Sequence, residues 1–341
     1  MQLYKSPLKI SLITFLLSCA LTPLTAQTKD NFTIAFGSCN KTSLPNLLWD
    51  DIQAAKADVF IWGGDIVYAD TENMKKLKAY YEELNEVPGY KRLKSTTPII
   101  GTWDDHDYGM NDGGVHFKAK KESQQVFLDF MNVPQDSPRR VQEGVYASHM
   151  YKSGGKTIKV LVLDTRYFRS DLTPDNSSSR RNKPNPYGQG TILGKTQWDW
   201  LERELSDPKV HYNVIVSSVQ FLSSEHGFEC WGNFPHEVDK LEQLLVSTQA
   251  KNVIILSGDR HISEISKKEV PGLAYPLIDV TSSGLTHAYR KFSGEPNKYR
   301  HSSVVAKESF GLLEINTEKN QMFVSLITDG GVLEASSLIE F

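Results

Sequence analysis

The sequence contains little cysteine and few long apolar segments. Three cysteines occur among 341 residues, which excludes a small fold held together by several disulfides. One apolar run, at residues 10–21, is shorter than the roughly 20 residues that span a bilayer as a helix. Since no comparable run follows it, we expect no transmembrane helix in the mature chain.

The sequence also lacks a strong excess of charge of either sign. The formal net charge is -3, with 23% charged and 39% hydrophobic residues, which is typical of a folded soluble protein. Because no long basic run occurs, we predict no dedicated nucleic-acid-binding surface. The expected partners are small molecules or polymers bound as substrates, and the composition does not indicate an oligomeric state.

The start of the chain is typical of a secretory leader. Two lysines precede the apolar run and small residues follow it, which predicts a signal peptide over residues 1–26 and export to the periplasm or the extracellular space. Two alternatives stay open, a permanent membrane anchor and a lipoprotein leader that ends before Cys19 and leaves that cysteine lipidated. Residues 27–341 are predicted to form a single domain.

Strand-like and helix-like segments alternate along the chain. Short apolar runs are typical of buried strands, and apolar residues spaced three and four apart are typical of helices. This alternation predicts an α/β fold with helices on the faces of a sheet. The strand-like segments are residues 32–36, 59–62, 98–102, 159–163, 212–217, 252–256 and 277–280, and the helix-like segments are residues 47–57, 74–85, 118–131, 195–205 and 238–250.

The last part of the chain changes character. Residues 310–316, 321–328 and 332–341 all resemble strands and follow one another closely, which predicts a hairpin set on the sheet edge. Two long irregular stretches, residues 170–191 and 289–303, are either rims around a site or plain surface loops.

Acidic, histidine and cysteine side chains follow four of the strand-like segments. This arrangement collects carboxylates and imidazoles at strand ends, which is how a two-metal hydrolase is built. The residues are Cys39 after the first run, Asp65 after the second, Asp105, His106 and Asp107 after the third, and Asp259 and His261 after the run at 252–256.

Asp65 is the best candidate for a carboxylate that bridges two metal ions. It follows a glycine pair at the end of an apolar run, where a rigid turn is expected. Tyr68 could reach the same metal if a helical turn begins there, and a phenolate suits a hard trivalent ion such as Fe(III). The alternative for Asp65 alone is a helix N-cap.

The acidic segment after the third strand supplies both a metal ligand and an acid. Alternate residues of a strand end point to opposite sides, so we expect Asp105 to bind the second metal and His106 to face the leaving group. Asp107 would then hold the tautomer of His106, which acts as the general acid. A structural ion pair is the alternative.

Further candidates lie on two other segments. Asp259 and His261 would share one face of an extended segment and could reach adjacent metals. Asn111 and Asp112 could hold a hard ion such as Ca²⁺, or form an Asx turn.

Several cations could bind substrate. Arg166 could grip phosphate oxygens by two parallel hydrogen bonds, or form a buried pair with Asp164. Arg260 is a further candidate for substrate binding, as are Arg290 and Lys291, with solvated surface as the alternative for these three.

Five short motifs occur in order and resemble a known family. They are Gly37-Ser38-Cys39, Gly64-Asp65-x-x-Tyr68, Trp103-Asp104-Asp105-His106, Asp164-Thr165-Arg166 and Gly258-Asp259-x-His261. Together they resemble the PhoD-like branch of the calcineurin-like metallophosphoesterases, also called the alkaline phosphatase D family. The resemblance implies a β-sandwich core flanked by helices, a four-layer α/β/β/α fold.

The resemblance also implies the metals and their ligands. Fe(III) would take Cys39, Asp65, Tyr68 and His261, Ca²⁺ would take Asp65, Asp105 and Asp259, and Asn111 would bind a further Ca²⁺. Other divalent ions would fit as well. With Cys39 as a thiolate ligand, Cys230 is left as a lone thiol, and the alternative is a disulfide between the two.

The implied function is that of an exported phosphoric ester hydrolase, an alkaline phosphatase or phosphodiesterase. A metal-bridging hydroxide would attack phosphorus with His106 as general acid. One rival is a catalytically weak or inactive module that binds metal and grips a phosphate-bearing polymer, although the presence of both Asp65 and His106 argues against it. The other, a non-phosphate metallohydrolase, would need the repeated histidine ligands of zinc enzymes.

Overall fold

A computed structural model describes residues 1–2 and 30–341 of the chain. Almost all of the expected signal peptide, including Cys19, lies outside the described residues, so export and lipidation stay predictions. Across the part that is described, the helices are too short or too polar to cross a membrane.

The structure contains strands and helices in alternation along most of its length. The strands are β1 Asn31–Gly37, β2 Val59–Gly63, β3 Ile99–Thr102, β4 Ala147–Ser153, β5 Lys156–Val162, β6 Thr173–Pro174, β7 Asn182–Lys183, β8 Tyr212–Val216, β9 Val253–Ser257, β10 Ser263–Lys268, β11 Leu277–Ser282, β12 Ser309–Asn316, β13 Gln321–Thr328 and β14 Val332–Glu340. The α-helices are α1 Trp49–Ala54, α2 Met74–Glu86, α3 Pro88–Thr96, α4 Asp105–Tyr108, α5 Lys120–Phe130, α6 Gly194–Leu205 and α7 Pro235–Thr248.

Two six-stranded sheets form the centre of the molecule. The first has the order β14-β13-β12-β1-β2-β3, and the second has the order β10-β11-β9-β8-β5-β4. Strands β1 to β3 are mutually parallel, as are β5, β8, β9 and β11. The remaining pairs in both sheets are antiparallel.

Alternation of side chains along the strands produces three apolar layers. On β2, Ile61 points into the layer between the two sheets, whereas Phe60 and Trp62 point into the layer that contains α1, α2, α3 and α5. A third layer lies between the second sheet and helices α6 and α7. Because both faces of each sheet are buried, the central strands read as continuous apolar runs, and the expected four-layer α/β/β/α architecture is confirmed.

Some elements differ from expectation. Helix α3 and the antiparallel strands β4 and β10 were not predicted, because each carries lysine, serine and other polar residues in place of an apolar run. The tail forms three strands, β12 to β14, which extend the first sheet from β1 instead of capping its edge with one hairpin. The strand-like segments named from the sequence otherwise coincide with strands.

The carboxyl ends of the parallel strands meet at one end of the sandwich. The turns after β1 and β2 are joined there, since the amide of Asn40 donates to the carbonyl of Asp65 at 2.8 Å. The turns after β8 and β9 are joined in the same way, from Gly258 to Ser218 at 3.1 Å. In open α/β sheets this is the end where ligands bind.

Candidate metal centre

Three of the candidate ligands occupy equivalent positions on their strands. Cys39, Asp65 and Asp259 each lie two residues beyond the last residue of β1, β2 and β9. Each adopts a left-handed backbone conformation, with φ of 60°, 51° and 68°. This conformation is uncommon for a residue other than glycine, although aspartate adopts it more readily than most.

The first ligand group surrounds one carboxylate oxygen of Asp65. The thiol of Cys39 lies 3.5 Å from Oδ2 of Asp65, and the hydroxyl of Tyr68 lies 3.2 Å from the same oxygen. The Tyr68 hydroxyl is also 3.1 Å from Nε2 of His261. Ligand atoms of Cys39, Asp65 and His261 all lie within 4.8 Å of one another, so sulfur, oxygen and nitrogen donors converge on one point.

The second ligand group consists of carboxylates. Oxygens of Asp65, Asp104, Asp105 and Asp259 lie within 4.8 Å of one another. A third group joins Asp65, Asp105 and His106 at the same spacing. Among the groups found in the described residues, all three share Asp65, which is the arrangement expected of a bridging carboxylate. Asp104 was not considered as a ligand from the sequence.

The charges of this cluster are unbalanced. Burial, followed by repulsion from neighbouring acidic groups, raises the pKa of Asp65 and of Asp259 well above the usual range. Burial also raises the pKa of the Cys39 thiol to about 11. Buried anions of this kind need a cation or a proton to compensate them.

Two carboxylate oxygens of the ligand groups accept no hydrogen bond from the described part of the chain. They are Oδ2 of Asp104 and Oδ1 of Asp105, both buried. Buried polar atoms without a hydrogen bond are uncommon in folded proteins. Together with the mixed thiolate, phenolate, imidazole and carboxylate donors, these free oxygens fit a site for metal ions.

The segment of Asp105 and His106 is helical, which corrects the expectation of an extended strand end. Both residues lie in the first turn of α4, which Asp104 and Asp107 close with a reciprocal capping box. Asp107 does not hold His106. Its carboxylate accepts hydrogen bonds from the backbone amides of Asp104, Asp65 and Ile66 at 2.7 to 3.2 Å, so it fixes the turns that carry the ligands.

Asp70 is the carboxylate that orients His106. Both of its oxygens lie 2.9 Å from Nδ1 of the imidazole. Burial opposes protonation of His106, but the hydrogen bond to Asp70 and the charge of Asp105 outweigh it and raise the pKa to about 9. Asp70 follows Asp65 by five residues, and no sequence motif around it indicates a contact with His106.

The turn after β9 also differs from the extended segment that was expected. Asp259 and His261 both have left-handed backbones, with φ of 68° and 53°, and both side chains line the same cavity. His287, which sequence reasoning missed, packs its ring against His261 with centroids 4.4 Å apart.

Asn111 and Asp112 lie at the edge of the carboxylate group. Both line the cavity, and the amide of Asp112 donates to Oδ2 of Asp105 at 2.7 Å. A Ca²⁺ ion at Asn111 stays a prediction.

Arg166 is placed beneath the site, which corrects the expectation that it contacts substrate. The residue is 0% exposed. Its guanidinium lies 2.5 Å from Oδ1 of Asp104 and 2.5 Å from Oε2 of Glu229. The carboxylate of Asp164 accepts a hydrogen bond from the backbone amide of Arg166 and not from its guanidinium. Both ends of the guanidinium are therefore already used by protein carboxylates.

A cavity of roughly 500 Å³ opens above the ligand groups. Arg260 lines it, as expected for a substrate-binding residue, and its guanidinium pairs with Glu295 at 2.8 Å. The two irregular stretches contribute Arg181 and Tyr289 to the lining, so each does form part of the rim. Arg290 does not line this cavity and pairs with Glu308 instead.

The two cysteines of the described chain are free and buried. Cys39 contacts Asp65, whereas Cys230 begins a short turn in which its amide donates to the side chain of Asn233 at 2.8 Å.

Comparison with known proteins identifies the family and the fold. A sequence model of the PhoD-like phosphatase family matches residues 34–271. Alkaline phosphatase D of Bacillus subtilis is 25% identical over 222 residues, which are 57% of this chain and 38% of that protein. The chain thus spans well under half the length of this curated relative.

Solved structures share the fold. A structure of PhoD has a TM-score of 0.74 and 18% identity, covering 92% of this chain and 69% of that one. A dimetal phosphatase from Danio rerio has a TM-score of 0.53 and 13% identity, and the match covers 91% of this chain and 99% of that one. GAP50, the anchor in the inner membrane complex of Plasmodium, has a TM-score of 0.60 and 12% identity, and the match covers 91% of this chain and 89% of that one. The family model covers most of the chain, and the resemblance seen in the five motifs is confirmed: the chain belongs to the PhoD-like phosphatase family.

Proposed function

We propose that this protein is an exported, metal-dependent hydrolase of phosphoric esters. The observation that carries the proposal is the position of Asp65, which belongs to every ligand group around one cavity. A carboxylate shared in this way can hold two ions close together, as two-metal phosphoesterases require. Family membership supports the same conclusion.

The proposed ligands divide into two sets. Cys39, Tyr68 and His261 would bind Fe(III) with Asp65, since thiolate and phenolate suit that ion better than Ca²⁺. Asp105 and Asp259, with Asp65, offer oxygens alone, which suits Ca²⁺, and Asp104 is an additional oxygen donor. When bound, the ions would supply Lewis acidity toward the phosphoryl oxygens and activate water as the nucleophile.

The residues of the chain would perform the proton transfer. His106 lines the cavity and is held by Asp70 through Nδ1, which leaves Nε2 available to protonate the leaving alkoxide. An acid on the leaving group contributes typically about 10² to 10⁴-fold to the rate. Arg260 and Arg181 also line the cavity, and we propose them, in place of Arg166, as the cations that bind substrate oxygens.

The experiment that tests this function compares kcat/KM for bis(4-nitrophenyl) phosphate and 4-nitrophenyl phosphate at alkaline pH with iron and Ca²⁺ present. Faster cleavage of the diester identifies a phosphodiesterase, and faster cleavage of the monoester identifies a phosphatase. Cleavage of neither would overturn the proposal in favour of a module that binds metal and grips a phosphate-bearing polymer.

A further inference from the structure

The cavity is larger than hydrolysis of a bare phosphate group requires. Its volume of roughly 500 Å³ is in the range of sites that bind small organic ligands. Its floor is made of the ligand groups and His106. Arg181, Phe228 and Tyr289 also line the cavity. Arg181 is proposed above to bind substrate oxygens, but the proposed chemistry gives Phe228 and Tyr289 no role.

Phe228 and Tyr289 are partly exposed aromatic residues that line the cavity. Phe228 is 38% exposed and Tyr289 is 44% exposed. The guanidinium of Arg260 lies 4.0 Å from the centroid of the Phe228 ring, so it covers part of that ring. The amide of Tyr289 donates to the carbonyl of His261 at 2.7 Å, which fixes the backbone of Tyr289 next to a candidate metal ligand.

The backbone around Phe228 is fixed by the long loop of residues 170–191. The amide of Asn182, in β7, donates to the carbonyl of Gly227 at 2.8 Å. A Cβ on Gly227 would lie 2.6 Å from Cβ of Arg180, so the loop packs tightly against the turn. Arg181 lies between Arg180 and Asn182 in the sequence, pairs with Asp112, and lines the same cavity as Phe228 and Tyr289.

The chemistry of the cavity lining selects one kind of ligand. Among the described residues that line the cavity, the apolar ones are Phe228, Tyr289 and Ala288, so a flexible alkyl chain would find almost no aliphatic surface. A flat ring can stack on aromatic side chains and on a guanidinium plane.

We propose that Phe228, Tyr289 and Arg181 form an outer subsite that binds a flat aromatic or heteroaromatic group esterified to the phosphate. The preferred substrates are accordingly phosphoric esters that carry such a ring. This inference rests on the proposed function and specifies its substrate class.

Calorimetry with two non-hydrolysable phosphonates tests the subsite without turnover. Phenylphosphonate and cyclohexylphosphonate have similar size and charge, but only the first is flat. We expect the metal-loaded protein to bind phenylphosphonate about three- to tenfold more tightly, the range typical of aromatic contacts. Phe228→Leu and Tyr289→Leu should each reduce this preference, and Phe228→Tyr should keep it.

Tyr187→Leu is the matched control, because Tyr187 is an exposed aromatic of the same loop that pairs with Asp239 and does not line the cavity. It should leave the preference unchanged. Equal affinities in the unmodified protein, or a preference that survives both leucine variants, would overturn the subsite. Absence of hydrolysis of any nitrophenyl ester would overturn the proposed function instead, and the binding comparison would still decide the subsite.

Discussion

At the scale of single residues, the candidate centre depends on backbone conformations that few side chains adopt. Six residues around it are left-handed, with φ between 41° and 68°: Cys39, Asp65, Asp70, Asp112, Asp259 and His261. A left-handed residue other than glycine costs about 1–2 kcal/mol, and less for aspartate. Four of them, Asp65, Asp112, Asp259 and His261, line one cavity, which indicates that the surrounding packing compensates strain in order to aim these side chains.

The contact between Asp70 and His106 leads to a prediction about leaving groups. Asparagine tolerates the left-handed backbone of Asp70 but cannot hold a protonated imidazole as strongly. Loss of such an orienting partner typically costs about 10–100-fold. Asp70→Asn should therefore lower kcat by that factor for alkyl esters, whose leaving groups need a proton, and much less for 4-nitrophenyl esters.

The measurement is kcat across a series of esters that differ in leaving-group pKa. The control is Asp107→Asn, which should lower stability because it weakens the hydrogen bonds that the Asp107 carboxylate accepts from backbone amides. This variant should reduce kcat for all esters alike. An equal loss for good and poor leaving groups in Asp70→Asn would show that Asp70 does not act through the general acid.

The burial of Arg166 leads to a prediction about stability. Arg166→Met would leave Asp104 and Glu229 as buried carboxylates without their shared cation. Removing one partner of a buried ion pair typically costs about 3–5 kcal/mol. Urea unfolding should show a loss of that size. A variant that unfolds like the unmodified protein but has a raised KM would return Arg166 to a role in substrate binding.

At the scale of elements, the turns after the parallel strands pack against one another through glycine. Gly64 has φ of +97°, and a Cβ there would lie 2.5 Å from Cβ of Asp104. The turn after β2 and the turn after β3 can therefore approach only if this position is glycine. This close approach brings the carboxylates of Asp65 and Asp105 into one ligand group.

The matched pair Gly64→Ala and Gly294→Ala separates packing from backbone strain. Gly294 has φ of +111° with no atom within 4 Å of a Cβ, so alanine there meets only the left-handed cost of about 1–2 kcal/mol. Gly64→Ala should lose about 1–3 kcal/mol more in urea unfolding, because of overpacking, and should lose activity. Equal losses of stability in the two variants would contradict the role of Gly64 in packing.

The sequence predicted those elements whose pattern is decided locally. Central strands such as β2 are buried on both faces, so an unbroken apolar run identified them. The ligands Asp65 and Asp259 were found because they follow such runs directly. Strand β10 and helix α3 carry polar residues in place of an apolar run, and their positions depend on neighbours that are distant in the sequence.

Contacts between distant segments could not be predicted. Asp70 reaches His106 across 36 positions, and Arg181 reaches the cavity from an irregular loop without a motif. Arg166 carried the right motif, but its burial depends on Glu229, which approaches from another loop. Sequence reasoning therefore named most of the candidate ligands and misassigned the residues that support them.

At the scale of the whole molecule, a histidine on the edge strand of the second sheet couples stability to pH. His149 lies on β4 and is half-buried, and this burial, with repulsion from Arg139, lowers its pKa from 6.5 to about 4. In the unfolded chain this histidine binds a proton below about pH 6.5, whereas the folded protein resists protonation until about pH 4. His149 therefore lowers the free energy of unfolding progressively as pH falls through this interval.

His149→Gln removes this proton linkage. Relative to the unmodified protein, the free energy of unfolding of the variant should rise as pH falls from about 6.5 to 4. Above pH 7, the difference in free energy of unfolding between the two proteins should be constant. Urea unfolding at several pH values measures the difference directly. A difference that does not change between pH 7.5 and 4.5 would contradict the burial of a neutral imidazole at this position.

The central claim is that buried acidic residues around Asp65 bind metal ions that the hydrolysis of phosphoric esters requires. The most direct test is the rate of bis(4-nitrophenyl) phosphate cleavage before and after removal of metal by a chelator, with metal content measured in the same samples. We predict that activity is lost with the metal and returns on addition of iron and Ca²⁺, and that Asp65→Asn, although folded, regains none. Full activity in protein shown to be free of metal would contradict the account.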